Sequence, residues 1–235
     1  MELKILNLNI WNYNKWNERR PRIVKFIKKH NPEIVVLQEV RDDIRFNKKG
    51  YHQAKQLNEK LKYPFIIFSK STDKKKEWPE RYNKYCVEGT AIMSKYPIFG
   101  VKNKTLKKHK RDRYGCTNLY FKIKAEKIID FVAVHFSPNE LFSSLHLKET
   151  LDYIKQKKIK PIIIGDFNIV KPKHLNVKIA GKYKSSLQYK KYISYPPNNF
   201  TLDYIVIPNE FKFKSLKCLG RGLSDHKALV AKVVI

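Results

Sequence analysis

The feature that most constrains this chain is a set of short apolar runs that each stop at a polar residue. Ile34-Val35-Val36-Leu37 runs into Gln38-Glu39, Phe131-Val132-Ala133-Val134 into His135, and Ile162-Ile163-Ile164-Gly165 into Asp166 and, two residues on, Asn168. Asp203 opens Tyr204-Ile205-Val206-Ile207, and Asp225-His226 precedes the last apolar run. Continuous apolar runs of this length read as buried strands. Strands whose polar groups fall at their ends deliver those groups to one rim, which is how a rigid scaffold positions a site.

Leu3 to Trp11 alternates apolar and polar residues as a strand does, and Trp16 to His30 has helical spacing until Asn31-Pro32 stops it. A helix is expected over Tyr51–Leu61, a strand at Phe65–Phe68, strand character over Val87–Ser94, two consecutive strands over Cys116–Lys124 and Lys127–His135, and a helix over Leu141–Lys157. Pro161–Gly165 is a short buried strand, and strands at Thr201–Ile207, Phe211–Leu219 and Lys227–Ile235 close the chain. Residues 69–86, 102–113 and 170–195 read as basic loop regions, the last with interleaved tyrosines. Strands dominate without strict βαβ alternation, and no Gly- or Ser-rich linker or internal repeat divides the chain. The expected fold is α/β (α+β): a single domain over residues 1–235 with two mixed β-sheets face to face and helices outside, an αββα sandwich. At 235 residues with 42% in the hydrophobic class, the chain can bury a core of that size.

Charge speaks to partners. Lys and Arg number 50 against 21 acidic residues, a net charge of +29. Such an excess attracts polyanions, nucleic acid first and anionic membrane surface second. Cys86, Cys116 and Cys218 lie far apart without a CxxC pair, which argues against a disulfide framework and a structural zinc site. They are expected to be buried, with a Cys86–Cys116 bridge left open. The N-terminus lacks the layout of a leader and no stretch approaches a membrane span, so a soluble, cytoplasmic setting is the expectation.

Taken singly, each polar residue has an ordinary structural reading: His135 as a core histidine, Asn168 as an Asx turn, Glu39 as a surface carboxylate. Together they match a family in wording and order. Leu8-Asn9-Ile10, Pro32-Glu33-Ile34-Val35-Val36-Leu37-Gln38-Glu39-Val40 and Glu88-Gly89-Thr90-Ala91-Ile92-Met93-Ser94-Lys95-Tyr96-Pro97-Ile98 are followed by Val134-His135-Phe136, Gly165-Asp166-Phe167-Asn168, Leu202-Asp203-Tyr204-Ile205 and Ser224-Asp225-His226. In these motifs the whole chain resembles the endonuclease/exonuclease/phosphatase superfamily, whose fold is a four-layer αββα sandwich.

The resemblance implies a divalent-metal-dependent hydrolase of phosphodiester bonds using Mg²⁺ or Mn²⁺. Glu39 would be the main metal ligand, with Asn9 and Asp225 beside it. Asp166 would position or deprotonate the attacking water, and Asn168 would bind phosphoryl oxygens. His226 would contact the scissile phosphate, its ring held by Asp203 or Asp225, and His135 would be a second phosphate contact and candidate leaving-group acid. Arg113 matches more loosely a basic phosphate contact. His30, His52, His109, His146 and His174 match no motif and are expected to be surface or structural.

Two departures narrow the branch. Trp11 stands where apurinic endonucleases carry an acidic residue, and those enzymes lack the histidine motif at His135. Both favour the branch with deoxyribonuclease I-like enzymes, sphingomyelinases, phosphoinositide phosphatases and tyrosyl-DNA phosphodiesterases. The expected substrate is nucleic acid, DNA before RNA, and the alternative is a phospholipid, phosphoinositide or sphingomyelin at a membrane surface. No obligate protein partner is implied.

Overall fold

The computed structural model describes residues 1–77, 79–108 and 115–235. Its strands are β1 (Glu2–Asn9), β2 (Ile34–Asp43), β3 (Phe65–Asp73), β4 (Cys86–Ser94), β5 (Ile98–Thr105), β6 (Thr117–Lys124), β7 (Ile128–His135), β8 (Ile162–Asp166), β9 (Tyr183–Ser185), β10 (Asp203–Pro208), β11 (Lys212–Leu219) and β12 (Ala228–Val234). Its helices are α1 (Trp16–His30), α2 (Gln53–Leu61), α3 (Lys74–Glu77), α4 (Glu140–Lys157), α5 (Pro172–Ile179) and α6 (Ser186–Tyr189), with a 3₁₀ turn at Pro196–Asn198.

The strands form two six-stranded mixed sheets, ordered β11-β12-β1-β2-β4-β3 and β5-β6-β7-β8-β10-β9. The periodicity of a strand explains the layers. Ile34 and Val36 face the opposite sheet, where they join Leu119, Phe121, Phe131 and Ile164 in the central core. Val35 and Leu37 point the other way, against Ile23 and Ile27 of α1 and Leu57 of α2. On the far side, Val132, Val134 and Ile163 pack against Leu147 and Ile154 of α4 and Leu175 of α5. Helix, sheet, sheet, helix is the sandwich expected, and strands buried on both faces explain the unbroken apolar runs. Among the described residues no helix is long and apolar enough to cross a membrane.

The topology sends the polar ends to one rim. In each sheet a parallel pair runs the same way, β1 beside β2 and β7 beside β8. Asn9 and Glu39 therefore lie at one end of the first sheet, and His135 pairs in register with Asp166 at the end of the second. Antiparallel β10 begins there, with Asp203 opposite Asp166, and antiparallel β12 brings Asp225-His226 to the same rim beside β1.

Several loop expectations are corrected. β3 runs on to Asp73, and α3 follows, where a loop was expected from residue 69. β5 extends through Thr105 into the second basic stretch; it is an edge strand exposed at most positions, which leaves no apolar alternation to read. The segment 170–195 holds α5, β9 and α6, because Leu175, Ile179 and Tyr183 close the outer core. The cysteines are free, so there is no Cys86–Cys116 bridge, and Cys218 is only half-buried.

Candidate active site

Every residue expected at the site, Arg113 excepted, is brought to this rim or directly beneath it. Arg113 and His109 lie outside the described residues. Glu39, His135, Asp166, Asn168, Asp225 and His226 line one open cavity of about 750 Å³. Asn9 and Asp203 lie just below, holding residues that do line it.

Local backbone aims the key carboxylates. A bulge in β2 between Leu37 and Val40 places Glu39 at a φ of 55°, a conformation rare for a residue with a long side chain. Asn168 likewise has a φ of 51°, which Asn tolerates better. Gly165 is required where it stands: a Cβ there would come within 1.9 Å of the Val134 carbonyl oxygen, so only glycine lets β8 approach β7 just before Asp166.

The first sheet supplies an acidic end. The Asn9 amide donates to Glu39 Oε1 and to Asp166 Oδ2, both at 3.1 Å, and thus ties the two sheets together. Asn12 donates to Glu39 Oε2 at 3.0 Å. Asp225 accepts from the Ser224 hydroxyl at 2.8 Å. Burial, with the nearby charge of Glu39 contributing, holds the Asp225 carboxyl above its ordinary range. Among the described residues neither Glu39 nor Asp225 has an ion-pair partner.

Each sheet supplies one histidine: His135 ends β7 of the second, and His226 precedes β12 of the first. His226 Nδ1 donates to Asp203 Oδ2 at 2.8 Å, while its Nε2 lies 3.8 Å from Asp166 Oδ2. His135 Nε2 lies 3.8 Å from the same oxygen. Burial would lower the His226 pKa, but the charge and hydrogen bond of Asp203, then Asp166 and Asp225, outweigh it and hold it up to about 10. Burial pushes Asp166 up to about 6 against the opposing pull of His226. Of the two carboxylates expected to hold the His226 ring, Asp203 is the one that does. Asn168 donates its backbone N–H to Asp166 Oδ1 and an amide hydrogen to the Phe136 carbonyl.

The arrangement fits a divalent cation at one end only. Donor atoms of Asp166, Asp203 and His226 lie within 4.8 Å of one another. Yet Nδ1 of His226 is committed to Asp203, whose other oxygen accepts from Asn7 at 3.2 Å. Glu39 and Asp225 are carboxylates without a cationic partner facing the cavity, the oxygen donor set a hard cation takes.

Sequence reasoning missed the supports. Asn7 joins Asp203 to Gln38, whose amide donates to Asn7 at 2.9 Å, so a buried polar chain crosses between the sheets. The buried Arg19 guanidinium donates to the carbonyls of Ile10, Trp11, Asn12, Asn14 and Leu223, clamping the loops that carry Asn12 and Asp225. Buried Glu88 pairs with Arg41 at 2.5 Å and Lys74 at 3.1 Å beside the cavity. Lys74 is thereby withdrawn from the set of free surface lysines. The interleaved tyrosines are mostly structural: Tyr183 is buried, and Tyr192 donates to the Asp203 carbonyl. Tyr195 alone of that set lines the cavity, its ring 4.8 Å from that of His226. His52 and His146 are buried, His52 as the N-cap of α2, as structural histidines should be.

The sequence model of the Endonuclease/Exonuclease/phosphatase family matches residues 6–226. No curated protein matches the chain. Among solved structures, a family protein from Leptotrichia buccalis superposes with a TM-score of 0.80 at 18% identity, over 99% of this chain and 100% of its own. The human Nocturnin catalytic domain with bound sulfate gives 0.72 at 21%, over 99% and 94%. A mannosyl-6-phosphatase from Bacteroides thetaiotaomicron gives 0.71 at 16%, over 99% and 100%. At these identities the likenesses establish the fold.

Proposed function

The chain belongs to the endonuclease/exonuclease/phosphatase family, and from that premise we propose that it is a divalent-metal-dependent phosphodiesterase acting on nucleic acid. The observation that carries the reading is the polarity of the cavity. Carboxylates of Glu39 and Asp225, without an ion-pair partner among the described residues, share it with the imidazoles of His226 and His135, whose Nε2 atoms both lie 3.8 Å from Asp166 Oδ2. A phosphoryl group fits such a site, with its negative oxygens toward the histidines.

Glu39, with Asp225 and Asn9 beside it, would hold Mg²⁺ or Mn²⁺, which when bound supplies Lewis acidity and charge neutralisation. Asp166 orients the attacking water and takes its proton; a carboxylate raised to about 6 suits a base working near neutrality. Protonated His226, fixed by Asp203, binds the phosphoryl oxygens and gains strength as their charge grows. Asn168 adds the amide hydrogen not committed to Phe136. His135 donates a proton to the departing oxygen.

Nucleic acid is favoured as substrate by the net charge of +29, which favours encounter with a polyanionic strand over a small monoester. The test is hydrolysis, by the purified protein with Mg²⁺ or Mn²⁺, of a small phosphodiester beside mannose 6-phosphate and other monoesters. Preference for the diester, abolished by EDTA, supports the reading. Preference for a monoester would replace it with a phosphatase.

A further inference from the structure

Along one wall of the catalytic cavity lies a row of flat side chains that the proposed chemistry does not use. Tyr13 and Phe46 stack face to face, 4.6 Å apart and 15° from parallel. The Arg45 guanidinium lies 5.6 Å from the Phe46 ring and 4.8 Å from the Tyr82 ring. These groups are fixed from below. The Tyr13 hydroxyl donates to Asn47 at 2.6 Å and accepts from Gln56 at 2.9 Å, and Arg45 is paired with the buried carboxylate of Asp43.

Phe46 is the exposed ring of the row, 60% accessible. With Tyr13 it lines both the catalytic cavity and a second one of about 720 Å³. That second groove carries Lys15 and Lys48 against Glu18; among the described residues neither lysine has an ion pair. Arg20, also there, is committed to Glu59 at 2.9 Å.

We propose that Phe46 and the groove beyond it form a subsite for the nucleotides flanking the scissile phosphate, the base stacking on Phe46 and the backbone passing to Lys15 and Lys48. A preorganised aromatic face beside uncommitted lysines is what sequence-tolerant binding of a single strand needs, since every base has a π-face and every linkage a charge. Duplex would present paired, stacked bases, so the subsite takes single-stranded nucleic acid. The inference rests on the nuclease reading above and adds the strand form and the path of the bound chain. A membrane-inserting role for Ile44 and Phe46 is less favoured, because Phe46 is flanked by a guanidinium and by Asn47 and lies against Tyr13.

The test compares Phe46→Ala and the Lys15→Ala/Lys48→Ala double variant with wild type on a single-stranded dodecanucleotide and on methyl p-nitrophenyl phosphate, a diester too small to span the ridge. The expected result is a KM for the dodecanucleotide raised on the order of tenfold in each variant and kept at the wild-type value in Phe46→Tyr, with kinetics on the small diester unchanged. An unchanged KM for the dodecanucleotide in both variants would overturn the subsite. So would loss, in Phe46→Ala, of sedimentation with phosphatidylserine vesicles with oligonucleotide kinetics intact, which would make the surface a membrane contact. If wild type hydrolyses the small diester but no oligonucleotide, the nuclease reading itself falls and the subsite with it.

Discussion

Asp203 Oδ2 and His226 Nδ1 lie 2.8 Å apart, so that an imidazole lining the cavity is held from beneath by a buried carboxylate that does not itself line it. The pair sets the protonation of the site. Raised from an ordinary 6.5 to about 10, His226 adds stability that is fully present below about 6.5 and is lost as pH rises towards 10. Asp203→Asn removes the main charge that holds the proton. Titration of the His226 ring by NMR in the metal-free protein is expected to move well down towards neutrality in that variant. A midpoint unchanged from wild type would assign the shift to another group.

His226→Ala and Asp166→Asn separate chemistry from folding. Removing His226 leaves the Asp203 carboxylate, among the described residues, with Asn7 alone as hydrogen-bond partner, and breaking a buried pair from one side costs on the order of 3 kcal/mol. Asp166→Asn keeps the shape and buries no unpaired charge, its one remaining oxygen accepting from Asn9 or from the Asn168 N–H but not both, a smaller loss of about 1 kcal/mol. Both variants should lower turnover by orders of magnitude, but only His226→Ala should show a clearly lower midpoint in urea.

Glu39→Gln should act on the metal. Wild type is expected to gain thermal stability as Mg²⁺ is added, since a ligand of the native state stabilises it by mass action. The variant keeps an isosteric side chain but loses the charge, so its melting temperature should respond weakly. The same Mg²⁺ titration in both proteins would remove Glu39 from the metal site.

Glu88 should mark the acid limb of stability. Burial would raise its carboxyl, but the charges of Arg41 and Lys74 outweigh this and hold it at about 2, below an ordinary 4.5. Its contribution is therefore present above about 4.5 and is lost as pH falls towards 2. Glu88→Gln should lower stability at neutral pH and flatten its fall between these values, measured by urea denaturation across pH. A slope equal to wild type would place the loss elsewhere.

The sandwich was legible because its strands are buried on both faces and so are written as unbroken apolar runs, as at Ile34–Leu37 and Ile162–Ile164. The candidate site residues were legible because they stand at the ends of those runs in short local motifs. What was hidden depends on contacts between distant segments. Asn7 reads as one polar residue in an alternating strand, yet it bridges Gln38 and Asp203, 196 positions away. Arg19 reads as part of a basic helix face, yet it is buried and binds five carbonyls. The edge strand β5 was missed because solvent exposure erased its alternation, and the basic, tyrosine-rich 170–195 segment read as loop although Leu175, Ile179 and Tyr183 pin it to the core. Arrays of lysine misled in the same way, since Lys74 is an internal partner of Glu88.

The most direct test of the central claim is cleavage of end-labelled single-stranded DNA and RNA at low salt with Mg²⁺, wild type against Asp166→Asn. The account predicts a product ladder with wild type that is lost with EDTA and lost in the variant, while the variant still binds the strand. Cleavage retained in a folded Asp166→Asn protein would contradict it, because the carboxylate between Asn9 and His226 would then have no part in the reaction.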